Sequence, residues 1–295
     1  MKALEFFHAV DSFIFEYQIT NEHAAIMRFV FCMTIMSFFL WTLRDSWEFM
    51  QPKGIFSSED YLKLCRTRFP QISLFNIWPN STLLPYIVFF GMFFFGLLSA
   101  FGVYTSISLW LFLIFLISYQ SRTFVILMSG SDSISRIMIA SLILMDCGRT
   151  YSIDSLFTLK PTSSMVIAPG VRLLQIAISL IYTQSAIEKL RCKFWLEGKS
   201  LRNAIYSVMW GRRLGMNVVK IPWIYKPAAI FTVVFQYFAV LGLWLTDIRP
   251  FFLLIAFFLH ISILVFLKIG PFGPVMAAAL FSFLDFVDFK ALLGI

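Results

Sequence analysis

With 295 residues, 59% of them hydrophobic and only 14% charged, this chain departs from soluble domains, which carry about 25% charged residues. Several apolar runs approach or exceed about 18 residues with few charges, which excludes a soluble protein with an oversized core. The formal net charge of +8 is gathered in loops, where it speaks of topology and anionic lipids and gives no independent sign of nucleic-acid binding.

At the start of the chain, Phe6, Phe7, Val10, Phe13 and Ile14 fall at near-helical spacing. The spacing predicts an interfacial amphipathic helix over 3–17, within an entry segment 1–23. Glu5, Asp11 and Glu16 interrupt the apolar stretch, so no clean cleavable leader is expected. Apolar runs then predict membrane helices near 24–43, 83–101, 103–119, 134–147, 166–188, 224–246, 251–268 and 272–288. The run at 121–128 reads as a half-helix, because Ser129-Gly-Ser-Asp-Ser133 breaks the hydrocarbon pattern. Polar backbone at that depth is tolerated only where protein buries it or a wet cavity receives it, so the break is either a cavity edge or a short loop. The expected fold is all-α: a polytopic integral membrane helical bundle of about eight transmembrane helices, with amphipathic interfacial helices, in one domain over 1–295.

Two longer polar segments, 44–82 and 189–223, are expected to fold at the membrane interface. The first carries Trp47, Trp78, Pro52, Pro70 and Pro79. The second interleaves Lys189, Arg191, Lys193, Lys199, Arg202, Arg212, Arg213 and Lys220 with Trp195, Trp210 and Trp223, which is the composition of an interfacial anchor. Most of the 24 basic residues fall on odd-numbered loops, so the positive-inside rule places 189–223 in the cytoplasm. Cys32, Cys65, Cys147 and Cys192 show neither disulfide nor metal spacing, and no metal is expected.

Three ionisable features carry candidate chemistry. Lys189 stands where an apolar helix meets the basic cluster, as a snorkelling anchor or a chemical group. A base needs an amine partly unprotonated near neutral pH; Arg191 and Lys193 favour that state, whereas a paired Glu188 would oppose it. His260 lies deep in Phe257-Phe-Leu-His-Ile-Ser-Ile, as a packed neutral histidine or a cavity group. Asp132 and Arg136, spaced i, i+4, can share one helix face as a clasp or a polar lining.

Three separated signatures line up with one family. They are Tyr182…Glu188-Lys189-Leu190…Trp195-Leu-Glu-Gly198, then Met145-Asp-Cys-Gly-Arg-Thr-Tyr-Ser-Ile-Asp154, then Phe258-Leu-His260 followed by Ile269-Gly-Pro-Phe-Gly-Pro-Val-Met276. Together they resemble the HTTM family, the membrane domain of vitamin K-dependent gamma-carboxylase and its bacterial relatives, over most of residues 20–290. The resemblance implies quinol chemistry in an intramembrane cavity. Its cofactor would be a reduced, vitamin K hydroquinone-like quinone, and its partners membrane lipids, a peptide or protein substrate, and a quinone or thiol-disulfide reductase. It also implies that Lys189 is the catalytic base and His260 a second active-site group, with Tyr182, Trp195, Asp132 and Arg136 as polar lining or supports. Glutamate carboxylation is doubtful, because the carboxylases' Asn-His pair is replaced by Gly130-Ser131-Asp132. Short bacterial relatives in sporulation-delaying-protein operons imply an alternative, a maturation or export factor for a secreted antimicrobial peptide without quinol chemistry. The family lysine faces the extracytoplasmic side, against the charge count. A multi-pass protein of a bacterial cell membrane is the expected setting.

Overall fold

The computed structural model describes residues 2–67, 73–127, 130–158, 163–218 and 220–284. Pro70, Ser129 and the end of the expected 272–288 helix beyond residue 284 lie outside the described residues. The fold is a helical membrane bundle with almost no strand. Five helical segments are long and apolar enough to cross a membrane, at Asn21–Arg44, Leu84–Phe101, Pro169–Arg191, Trp223–Trp244 and Arg249–Phe266. The chain forms two compact units, 1–171 and 172–295.

In the first unit, α1 (Lys2–Phe15) precedes β1 (Gln18–Thr20) and α2 (Asn21–Met50). Thr20 caps α2, its hydroxyl accepting from His23 N–H at 3.2 Å. No proline or glycine interrupts the chain until Pro52, so α2 runs through Arg44–Met50, where an interfacial loop was expected. The remainder of that segment holds α3 (Ser58–Thr67) and α4 (Leu74–Ile77). Next come α5 (Leu84–Phe101), α6 (Thr105–Leu127) and α7 (Gly130–Ile143), with α2 packed against all three. The expected half-helix at 121–128 is the continuation of α6 as far as Leu127. Gly130–Ser133 forms the first turn of α7, where acidic Asp132 suits the helix dipole. A short strand, β2 (Met165–Ile167), pairs antiparallel with β1, Gln18 opposite Ile167.

α8 (Pro169–Arg191) leads into the second unit. The expected interfacial loop that follows is three short helices, α9 (Lys193–Leu196), α10 (Lys199–Tyr206) and α11 (Arg213–Val218). They are followed by α12 (Pro222–Trp244), α13 (Arg249–Phe266) and α14 (Phe272–Ala279), the last ending in a 3₁₀ turn over Leu280–Phe283. α12 packs on α13, and α13 on α14. Gly273 permits the latter contact: a Cβ there would stand 2.5 Å from the His260 carbonyl oxygen. Across α13 only Ala256 and His260 are buried, one turn apart, while Phe251, Leu254, Phe257 and Phe258 face outward. That distribution suits a helix whose outer face meets lipid.

Candidate functional site

Along α8, Gln175, Ser179, Tyr182, Ser185 and Lys189 recur every three or four residues and so share one face of an apolar helix. Within the second unit each finds a partner. Gln175 donates to the Ser282 carbonyl at 2.5 Å. Ser179 Oγ accepts from Trp244 Nε1 at 2.8 Å. The Tyr182 hydroxyl and His260 Nε2 share a hydrogen bond of 2.8 Å. Ser185 Oγ donates to Gln236 Oε1 at 3.3 Å. Lys189 Nζ donates to the Ser185 hydroxyl and, at 3.4 Å, to its carbonyl. Where water is absent, such groups must satisfy one another, so the stripe holds α8 to α12, α13 and the 3₁₀ turn.

One member of this seam is incomplete. His260 is 1% exposed and its Nδ1 has no hydrogen-bond partner among the described residues. If Tyr182 donates to Nε2, Nδ1 carries an orphaned N–H; if Nε2 donates instead, Nδ1 is an orphaned acceptor. Either arrangement leaves a polar atom buried at a cost of about 1–3 kcal/mol. Aromatic rings enclose the pair: Phe235 lies 6.1 Å from the Tyr182 ring, and Phe272 lies 5.9 Å from His260, both edge-on. Within these apolar walls, and among the described residues, the Nδ1 position is a buried hydrogen-bonding group left unfilled.

Lys189 is half-buried at the end of the same stripe, with Nζ 5.1 Å from the centre of the Trp195 ring. Glu188 takes a hydrogen bond from Gln184 at 3.0 Å, and among the described residues no carboxylate lies within 4.0 Å of Lys189. The ion pair that would have held this amine protonated is not formed. The fold thus brings Tyr182 to His260, and Lys189 to Trp195. Seven residues of helix, about 10 Å of rise, separate Tyr182 from Lys189.

Asp132 and Arg136 belong to the first unit, one turn apart on α7. Arg136 Nε donates to Gln120 Oε1 at 2.6 Å, and Gln120 Nε2 donates to Ser135 Oγ at 2.8 Å, which ties α7 to α6. The Met145–Asp154 signature is in this unit as well, and it folds around a residue that the sequence did not single out. Arg28, 1% exposed on α2, donates to the carbonyls of Cys147, Tyr151 and Ala100. Asp154 receives Tyr104 N–H, Thr105 N–H and the Thr105 hydroxyl at 2.8, 2.8 and 2.7 Å, capping α6. Tyr104 and Tyr151, at φ of 44° and 45°, occupy the left-handed region beside these anchors. Gly102 shares it, and a Cβ there would overlap the Ser152 side chain. Burial pushes the Asp154 carboxyl up, but its hydrogen bonds to Thr105 and Tyr104 outweigh this and hold it below the usual carboxylate range.

Arg122, also 1% exposed, was likewise missed. It donates to the carbonyls of Gln51 and Phe56 at 3.0 and 2.8 Å, and its guanidinium lies 4.9 Å from the Tyr61 ring. For Arg28 the sequence signal was a lone arginine amid apolar residues, and for Arg122 a cation in the polar stretch Ser118–Thr123 of a long apolar run. The first unit further contains a groove of about 690 Å³ beside β1 and β2, lined by Gln18, Met165, Ile167, Asp146 and Arg149. The chain matches no protein-family model, no curated protein and no solved structure.

Proposed function

We propose that this protein is a membrane enzyme of the gamma-carboxylase-like type, taking a quinol-like or lipid-like molecule among its helices. The observation that carries this reading is the buried Nδ1 of His260, unpartnered among the described residues, beside Tyr182 and walled by Phe235 and Phe272. A reduced quinone fits such a position: its hydroxyl supplies the missing hydrogen bond and its ring the aromatic contacts. Lys189, with no carboxylate within 4.0 Å among the described residues, is the group available to take a proton, and Trp195 covers it. The enzyme would thus use a reduced quinone as co-substrate, and would draw on a quinone reductase. Ser131 stands where the carboxylase histidine would be, which argues against glutamate carboxylation.

Purified protein in lipid nanodiscs, given reduced menaquinone and oxygen, is expected to oxidise the quinol faster than empty nanodiscs do. Lys189→Ala should abolish that difference, and His260→Phe should raise KM by at least tenfold. Equal rates with and without protein, or unchanged turnover in Lys189→Ala, would sink the proposal.

The groove beside β1 and β2 favours a second reading, a maturation or export factor for a secreted peptide. An extended peptide could add to a strand edge there and place side chains in the groove. Under that reading, deletion would abolish peptide activity while leaving quinol oxidation untouched.

A further inference from the structure

The net charge of the whole chain resides in one segment. Between residues 189 and 226, Lys189, Arg191, Lys193, Lys199, Arg202, Arg212, Arg213, Lys220 and Lys226 face a single acid, Glu197, and this balance of nine to one equals the chain's +8. The remaining basic and acidic residues cancel. Glu197 is already engaged, at 2.6 Å from Lys199 and 4.0 Å from Lys193. Among the described residues, no carboxylate lies within 4.0 Å of Arg191, Arg202, Arg213 or Lys226.

The segment is held in place. Arg212 N–H donates to the Phe266 carbonyl at 3.0 Å, Arg212 Nε to the Leu267 carbonyl at 3.1 Å, and Lys268 N–H to the Trp210 carbonyl at 2.6 Å. The Arg202 guanidinium lies 5.4 Å from the Tyr206 ring and 5.6 Å from the Tyr225 ring, which fixes it between α10 and α12. Interleaved with the cations are apolar side chains left largely uncovered: Val208 is 89% exposed, Trp223 74% and Met209 70%. In water such a surface invites aggregation. Here the segment begins at the end of one apolar helix of spanning length, α8, and ends at the start of another, α12, so it lies at membrane-interface level. At that depth tryptophan and aliphatic side chains partition into the headgroup region, and cations meet phosphates.

We infer that residues 189–226 form a binding platform for anionic phospholipid headgroups, with Arg202, Arg213 and Lys226 as its phosphate-facing cations. Polar groups of an acidic soluble protein would satisfy the charges but would leave the exposed tryptophan and aliphatic residues in water. A lipid leaflet satisfies both. Each cation near an anionic surface contributes about a fivefold gain in association.

The full-length protein in mixed micelles tests this, with binding read by microscale thermophoresis against phosphatidylglycerol, phosphatidylcholine, inorganic phosphate and poly-glutamate. The expected result is salt-sensitive preference for phosphatidylglycerol. R202Q/R213Q/K226Q should weaken it on the order of a hundredfold, while R202K/R213K/K226R retains it. Should the triple variant lose its monodisperse elution, exposed Arg213 alone is replaced, and R213Q should cost about fivefold. Equal affinity for both phospholipids, unchanged binding by the glutamine variants, or tight binding of phosphate or poly-glutamate without phosphatidylglycerol preference would overturn the assignment.

Discussion

Arg28 and Asp154 make the Met145–Asp154 segment intelligible as structure. One is a buried cation clothed by backbone carbonyls; the other is a carboxylate that caps α6 and fixes Tyr104 in a left-handed backbone conformation. Because the folded carboxyl titrates below its ordinary range, Asp154 contributes stability that is fully present above the unfolded pKa, near 3.8, and is lost as pH falls through the folded value. Asp154→Asn is therefore expected to lower the unfolding temperature at pH 7, with the gap to wild type closing below about pH 4. A gap that persists at pH 2 would rule out the charged cap as its source. Arg28→Leu should cost about 3–5 kcal/mol in chemical denaturation, since it removes the donor of three carbonyls, those of Ala100 and Cys147 in buried bonds. At this scale the sequence pointed to Tyr182, Lys189 and His260 by type and setting, but it could not show that Tyr182 and His260 share a hydrogen bond, because 78 positions separate them.

Helices show a different division. The 3.6-residue period of α8 makes its polar stripe readable in advance, since Gln175, Ser179, Tyr182, Ser185 and Lys189 share a face whatever packs against it. The partners on α12, α13 and the 3₁₀ turn were not readable, because nothing in an apolar helix states which neighbour it meets. Likewise the polar Gly130–Ser133 stretch looked like a break in the hydrocarbon pattern; it forms a helical first turn, and α6 runs on to Leu127. The close approach of α14 to α13 has a direct test. Gly273→Ala pushes a methyl against the His260 carbonyl and should cost roughly 1–3 kcal/mol of stability. It should also weaken the Tyr182–His260 bond, read as a change in Tyr182 hydroxyl protection in ultraviolet resonance Raman spectra. An unchanged spectrum with unchanged stability would show that the two helices have room to spare.

Taken whole, the molecule joins two requirements, apolar faces for lipid and polar seams inside. Orientation has its own measurement, because the loop after α8 carries the charge excess. With Ile205→Cys in an otherwise cysteine-free background, labelling by a membrane-impermeant maleimide in intact cells reports an extracytoplasmic loop. Protection until lysis reports the cytoplasmic placement that the charge count favours. Sequence alone determined that the chain is a helical membrane bundle, where most of its apolar helices run, and that its charge is concentrated after α8. These follow from local composition and period, which need no knowledge of neighbours. Tertiary structure alone decided that Arg28 and Arg122 are buried and clothed by carbonyls. Among the described residues, it alone left Lys189 with no carboxylate within 4.0 Å, and His260 bound on one nitrogen with no partner on the other. Burial and hydrogen-bond pairing are properties of what surrounds a residue, and in this chain the surroundings come from helices far away in sequence.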